Sequence, residues 1–204
     1  DKEPFIKLFM SYPEAFLPAV LKNKNEFPEG VNTMFNNGFG AAHVLCTTES
    51  GQVPVERLKF LHENGADLNL QSGKGHSPLF SCLLPACAPS TPEQLECIKY
   101  LVSNGADPLQ LVWEQSVDDL GGILPGQIHI KTPMFKAVQK HDLAALAAMF
   151  PHGTDVNQLA STGPEACWNA LHFACTSPSA SSDNFKTIKF LLDDLHADPL
   201  VLDQ

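Results

Sequence analysis

Histidine stands three residues ahead of cysteine twice in this chain: His43 with Cys46 in GAAHVLC, and His172 with Cys175 in NALHFAC. Two chemistries need such pairs. Taken together they offer four ligands to zinc, which must converge to about 2.0–2.3 Å from the metal. Taken singly, each is a thiol nucleophile beside an imidazole base, if a third group orients the base and a pocket admits substrate. Both readings depend on the elements that carry these residues and on how far apart those elements stand.

The elements repeat. Leu58-Lys59-Phe60-Leu61, Ile98-Lys99-Tyr100-Leu101 and Ile188-Lys189-Phe190-Leu191 align without gaps. The first two run on to the same tetrapeptide, Asn64-Gly65-Ala66-Asp67 and Asn104-Gly105-Ala106-Asp107, and the third ends in His196-Ala197-Asp198 after one extra residue. Upstream of each lies a second shared block: GAAH at 40–43, SPLF at 77–80 and NALH at 169–172. A fourth unit has TPMF at 132–135, the apolar run LAALAAMF and GTDVN at 153–157. The order is constant: a short apolar helix, an amphipathic helix, a Gly-Ala-Asp stop suited to a left-handed C-cap, and a polar turn.

This order resembles the ankyrin repeat, whose unit carries T-P-L-H-x-A-A on its first helix and G-A-D-x-N after its second. The resemblance spans residues 35–204 and implies an all-α solenoid of stacked helix-turn-helix units joined by hairpin-like turns, with a long insertion between the second and third units. The units fall at about 35–71, 72–110, 111–158 and 159–204. Residues 1–34 read as a helical cap or degenerate further unit, with FIKLFMSY and PEAFLPAVLKNK as helices and Glu29-Gly30-Val31-Asn32 standing in for the stop. Equivalent positions Ala41, Pro78, Pro133 and Ala170 are 37, 55 and 37 residues apart, against a family period of about 33. Loops rich in Pro, Ser and Thr, such as TTESGQVPVE, PACAPSTPEQ and TSPSASSDN, take up part of the excess. The rest is the insertion at 109–131, which carries Trp113, a run of aliphatics and the acidic pair Asp118-Asp119.

The repeat removes both chemical readings. His43 and His172 hold the same place in units one and four, so two units separate them, and each pair alone offers a metal only two ligands. Cys46 and Cys175 fall on the second Ala of the first-helix block, an inward position where a buried thiol has a raised pKa and is inert. No Gly-rich phosphate loop, paired-carboxylate motif or GxSxG is present. His141-Asp142 reads as the polar turn and cap before a second helix. No metal, cofactor or catalytic activity is expected.

The resemblance implies instead a non-catalytic protein-interaction module that binds through a concave face, its turn tips and the inserted loop. The residues just before each T-P-L-H equivalent are Phe39, His76, Lys131 and Trp168. Further tip residues are Asn36, Asn37, Lys74 and Glu165, and Gln139 and Lys140 take outward helix positions. Trp168 and Trp113 read either as packed aromatics or as interface anchors, for which Trp is a common choice. Asn69 and Asn157 hold the place that cytosolic asparaginyl hydroxylation modifies in the family.

Composition narrows the partner. The net charge of −10 disfavours nucleic acid and anionic membranes, which need a basic face, and favours a protein of basic or neutral surface. No run of residues is long and apolar enough to span a membrane. Six cysteines, at 46, 82, 87, 97, 167 and 175, sit mostly in apolar runs without CxxC, which fits reduced thiols in a cytoplasmic setting. A monomer is expected. The chain starts without Met, as a cropped or processed one would. The alternative is a targeting or regulatory domain of a larger protein, an enzyme or a bacterial effector acting in the host cytosol; 12 lysines to one arginine, common in AT-rich genomes, lean that way.

Overall fold

Three first helices open on a side-chain cap that the sequence spells out, from Ser77, Thr132 and Asn169. The computed structural model describes residues 13–23, 25, 27–35, 38–47, 55–84, 90–117, 123–151, 155–157, 169–176 and 182–201. Its helices are α1 (Pro13–Lys22), α2 (Ala41–Thr47), α3 (Val55–Glu63), α4 (Pro78–Ser81), α5 (Pro92–Ser103), α6 (Pro133–Gln139), α7 (Leu143–Met149), α8 (Ala170–Thr176) and α9 (Ser182–Asp193), with a 3-10 turn at Gly30–Asn32. Ser77 and Thr132 each precede a proline at the first helical position, and their hydroxyls accept from the N–H of Phe80 and Phe135. Proline loses nothing there, because that N–H has no partner within the helix. Thr91 and Gln94 form a reciprocal capping box at the start of α5, and Asp142 caps α7 by accepting from Ala145 N–H.

The second helices stop as their sequences require. Gly65 and Gly105 lie at φ +89° and +90°, and the following Ala66 and Ala106 donate back to Leu61 O and Leu101 O at 3.0 and 2.9 Å. In the last unit His196 takes the glycine's place at φ +56°, and Ala197 N–H still reaches Leu191 O at 2.8 Å. A side chain in the left-handed region costs roughly 1 kcal/mol, so this stop is held by its surroundings.

Helix pairs α2–α3, α4–α5, α6–α7 and α8–α9 stack in two rows. First helices touch in the order α2, α4, α6, α8, and second helices in the order α3, α5, α7. One apolar cluster runs through the stack from Phe16 and Val20 of α1, through Leu45, Leu58, Leu79, Ile98, Leu101, Met134 and Leu146, to Ala174 and Leu191. A single pair cannot cover its own apolar face; stacking does it for all of them. The described residues are thus an all-α stack of helix pairs with one exception, which lies in the insertion. Strands β1 (Val112–Val117) and β2 (Ile123–Lys131) form an antiparallel ribbon pairing Val112 with Lys131, Trp113 with Ile130 and Gln115 with Ile128, with a bulge between Gln115 and Val117. No described helix is long and apolar enough to cross a membrane.

Candidate binding face

The histidines that suggested chemistry tie helices to turns. His43 is fully buried; its Nδ1 accepts from Gly40 N–H at 3.2 Å, and its Nε2–H points at Leu70 O and His76 O, both at 2.9 Å. That pattern sets the neutral tautomer with the proton on Nε2. Burial holds its pKa below the ordinary value of 6.5, outweighing the two carbonyls that favour the charged form. His172 repeats half of this arrangement: Asn169 N–H donates to its Nδ1 at 3.3 Å, and its own backbone N–H donates to Asn169 Oδ1 at 2.9 Å. This is a capping box in which histidine does the work of Glu or Gln. Both imidazoles are therefore committed to backbone.

The cysteines divide. Cys46 is fully buried against Cys82 and Cys97, and contact with Cys82 together with desolvation pushes its thiol well above the usual range. Burial likewise pushes Cys97 up to about 12. Cys175, expected to point inward, is exposed. The physical reason is its place in the stack: Cys46 is covered by the next unit, whereas no further described unit follows α8 and α9. The same open side leaves Phe185 and Leu200 exposed. Among the described residues no group of three or more His, Cys, Asp or Glu could hold a metal ion.

Turn tips lie next to one another. Phe35 N–H donates to Phe39 O at 2.8 Å and Ser72 N–H to His76 O at 2.8 Å, closing two turns of the same form. Gly73 N–H crosses to Gly38 O at 2.6 Å. A β-carbon on either glycine would meet the other's backbone at 3.3–3.4 Å, so glycine at 38 and 73 permits this approach. The Val112–Lys131 pair of the ribbon occupies the place that Ser72 and His76 hold one unit earlier. The insertion is the third tip, lengthened into a β-ribbon.

Comparison of the sequence with protein-family models and with curated proteins finds no match. The face must be read from its own residues.

Three of the tip residues singled out in the sequence come together. Phe39 is half-buried, its ring 5.8 Å from that of His43 and 6.1 Å from that of His76. Exposed Lys74 sets its Nζ 5.7 Å from the Phe39 ring centroid. His76, expected on a solvated tip, is only 7% exposed and packs on Phe80 at 4.9 Å; its turn folds the imidazole onto the first helix of its own unit, so it supports the tip from beneath. Of the outward helix positions, Gln139 is exposed. Lys140 is half-buried and donates from Nζ to Leu83 O at 3.0 Å, binding the second unit to the third. Trp168, Asn36, Asn37 and Glu165 lie outside the described residues, as do Asp118 and Asp119. Trp113 and Lys131 are placed by the backbone register of the ribbon alone.

Asn69 has a structural role that single positions do not advertise. Its Nδ2 donates to Gly105 O at 2.8 Å and its Oδ1 accepts from Asp107 N–H at 3.0 Å. Asn32 makes the same two bonds to Gly65 O and Asp67 N–H, one unit earlier. Asn157 accepts from Asp198 N–H at 2.7 Å. Each Asp in turn accepts from the N–H two residues on, as Asp67 does from Asn69 and Asp198 from Leu200. A ladder of amides thus links the stop of one unit to the stop of the next.

Sequence reading missed Lys136. It follows Phe135 in the TPMFK block, the variable position after the histidine equivalent, and its Nζ lies 5.9 Å from the Phe80 ring. Aligning the blocks one residue further would have found it.

Proposed function

We propose that this chain is an ankyrin-type repeat module that binds a protein partner and catalyses nothing. Residues 35–204 form the repeat domain, and residues 1–34 a degenerate first unit. The observation that carries the reading is the tip-to-tip bond from Gly73 N–H to Gly38 O, which sets successive turns side by side above the row of first helices. Such a row is a preformed, extended surface, and binding to it carries little ordering cost. Asn32, repeating the contacts of Asn69, supports counting the N-terminal segment as a unit. The buried backbone-bound His43 and the inert Cys46 support a structural role for the His-Cys pairs.

Contacts fall on Phe39, Lys74 and Gln139, on the ribbon with Trp113 and Lys131, and on the third-to-fourth tip with Glu165 and Trp168. Asn36 and Asn37 extend the first tip. Asn69 and Asn157 are candidate hydroxylation sites; both amides sit in the ladder, so a hydroxylase needs that segment released from the stack first. The test is a double variant, Trp113→Ala with Trp168→Ala, assayed against a partner identified by proximity labelling in the source cell and then purified. Binding should fall at least tenfold with the melting temperature nearly unchanged, as for loss of interface anchors. A melt lowered by several degrees, with affinity per folded molecule intact, would make both tryptophans packing residues and sink the assignment.

A further inference from the structure

We infer that the open side of the last helix pair is a joint, and that a further helix pair of the same polypeptide stacks on it. The four units can be compared position by position. On the first helices Cys46, Leu83 and Val138 are buried, whereas Cys175 in the same place is exposed. On the second helices Leu58, Ile98 and Leu146 are fully buried, whereas Ile188 is half-buried. Three residues earlier Val55, Leu95 and Leu143 pack against the core, whereas Phe185 is 69% exposed. A unit that closes a stack carries a polar outer face. This one turns Cys175, Phe185 and Leu200 outward, and an exposed apolar patch of that kind marks an interaction surface.

The exit from the last unit has the build of an internal joint. Ala197-Asp198-Pro199-Leu200 repeats Ala106-Asp107-Pro108-Leu109 residue for residue. In both, the Asp N–H donates to the Asn of the preceding stop, and the Asp carboxylate accepts from the Leu N–H at 2.8 Å. In the second unit the third unit completes the arrangement: Leu109 packs against the core, and Pro108 O accepts from Met134 N–H of α6 at 3.0 Å. In the last unit Leu200 is 80% exposed, and among the described residues no backbone N–H reaches Pro199 O. His172 is half-finished in the same way. His43 donates from Nε2 to Leu70 O and to His76 O of the next tip, while among the described residues His172 bonds only within its own cap. Internal joints supply a turn carbonyl for this histidine, a helix N–H for this proline carbonyl and an apolar cover, and the tip and first helix of a further unit carry all three. Such joints set unlike faces of two units together. A second copy meeting tail to tail brings two like faces and cannot repeat those bonds, and the far side of the stack is already covered by Phe16 and Val20 of α1.

The test labels Cys175 in the protein as its source cell makes it and in the 204-residue chain purified alone, by timed iodoacetamide treatment without denaturant and peptide mapping. The cellular protein should react at least tenfold more slowly and remain slow once purified to a single polypeptide. Its peptides should continue past Gln204 into a first helix, a second helix and a stop. Equal rates in the two samples, or a cellular chain without a further unit, overturn the proposal. Protection that disappears on purification overturns the same-chain unit in favour of a partner protein, and protection of the 204-residue chain that grows with its own concentration does so in favour of a second copy. Each of these failures leaves the binding-module reading of the tips standing.

Discussion

His43 links protonation to folding. It is neutral in the folded protein because burial disfavours the imidazolium, and its pKa lies below the ordinary 6.5. In the unfolded chain it titrates near 6.5. Below that value the unfolded state binds the extra proton first, so this group's stabilising contribution is complete above about pH 7.5 and declines as pH falls from 6.5 through the lowered folded value. The slope reaches at most about 1.4 kcal/mol per pH unit. Urea unfolding of the wild type should show that loss between pH 6.5 and 5, and His43→Gln should flatten it; an equal slope in both would place the titration elsewhere. The cysteines give a second residue-scale prediction. Exposed Cys175 should be alkylated within minutes in the isolated native chain, while buried Cys46, Cys82 and Cys97 are labelled only on unfolding, because packing keeps the reagent from their sulfurs. Peptide mapping after timed iodoacetamide labelling reads this directly, and early labelling of Cys46 would contradict the burial.

Helices and their stops were legible because each carries its own punctuation. Ser77-Pro78 and Thr132-Pro133 announce a capped start, and Gly65 and Gly105 announce a left-handed end. The ribbon at Val112–Lys131 was not legible as strand, since Pro125, Gly126 and a bulge interrupt the alternation from which strands are read. Nor was the burial of His76: a turn residue looks solvated in sequence, and only the ring of Phe80 on the same unit's helix shows where it goes. The asparagine ladder was visible only in outline, as a recurring Asn whose partners lie 33–41 residues away. Asn69→Ala removes two inter-unit bonds at a largely solvated site and should lower stability by about 1–2 kcal/mol, whereas Gln71→Ala, which loses one bond to Leu111 O, should cost about half as much. Chemical denaturation checks both, and equal costs would mean that the amide pair does not act as a unit.

Among the described residues the ladder is interrupted between the second and third units. At the second unit's stop the Asn position is Leu109, which packs against the core, and the ribbon enters directly afterwards. The junction between the second and third units is held by other means. Buried Asp142 accepts from Ser90 N–H at 2.8 Å and Ser90 Oγ–H at 2.6 Å on one oxygen, and from Ala145 N–H at 3.0 Å on the other. Met134 N–H reaches Pro108 O, and Lys140 Nζ reaches Leu83 O. One carboxylate thus caps α7 and fastens the entry to α5 in the unit before it. In a linear stack, cooperativity between halves depends on such nearest-neighbour terms. Asp142→Ala leaves the buried Ser90 N–H and the N-terminus of α7 without an acceptor, at a cost of about 2–3 kcal/mol, and the loss falls at a joint where Leu109 takes the place of the ladder's Asn. Wild type should unfold in a single urea transition. Asp142→Ala should unfold in two, with amides of residues 133–201 exchanging ahead of those of 55–110 in hydrogen-exchange mass spectrometry. A single transition shifted to lower urea, with exchange rising evenly along the chain, would show that the packing of α5 on α7 couples the halves without the carboxylate.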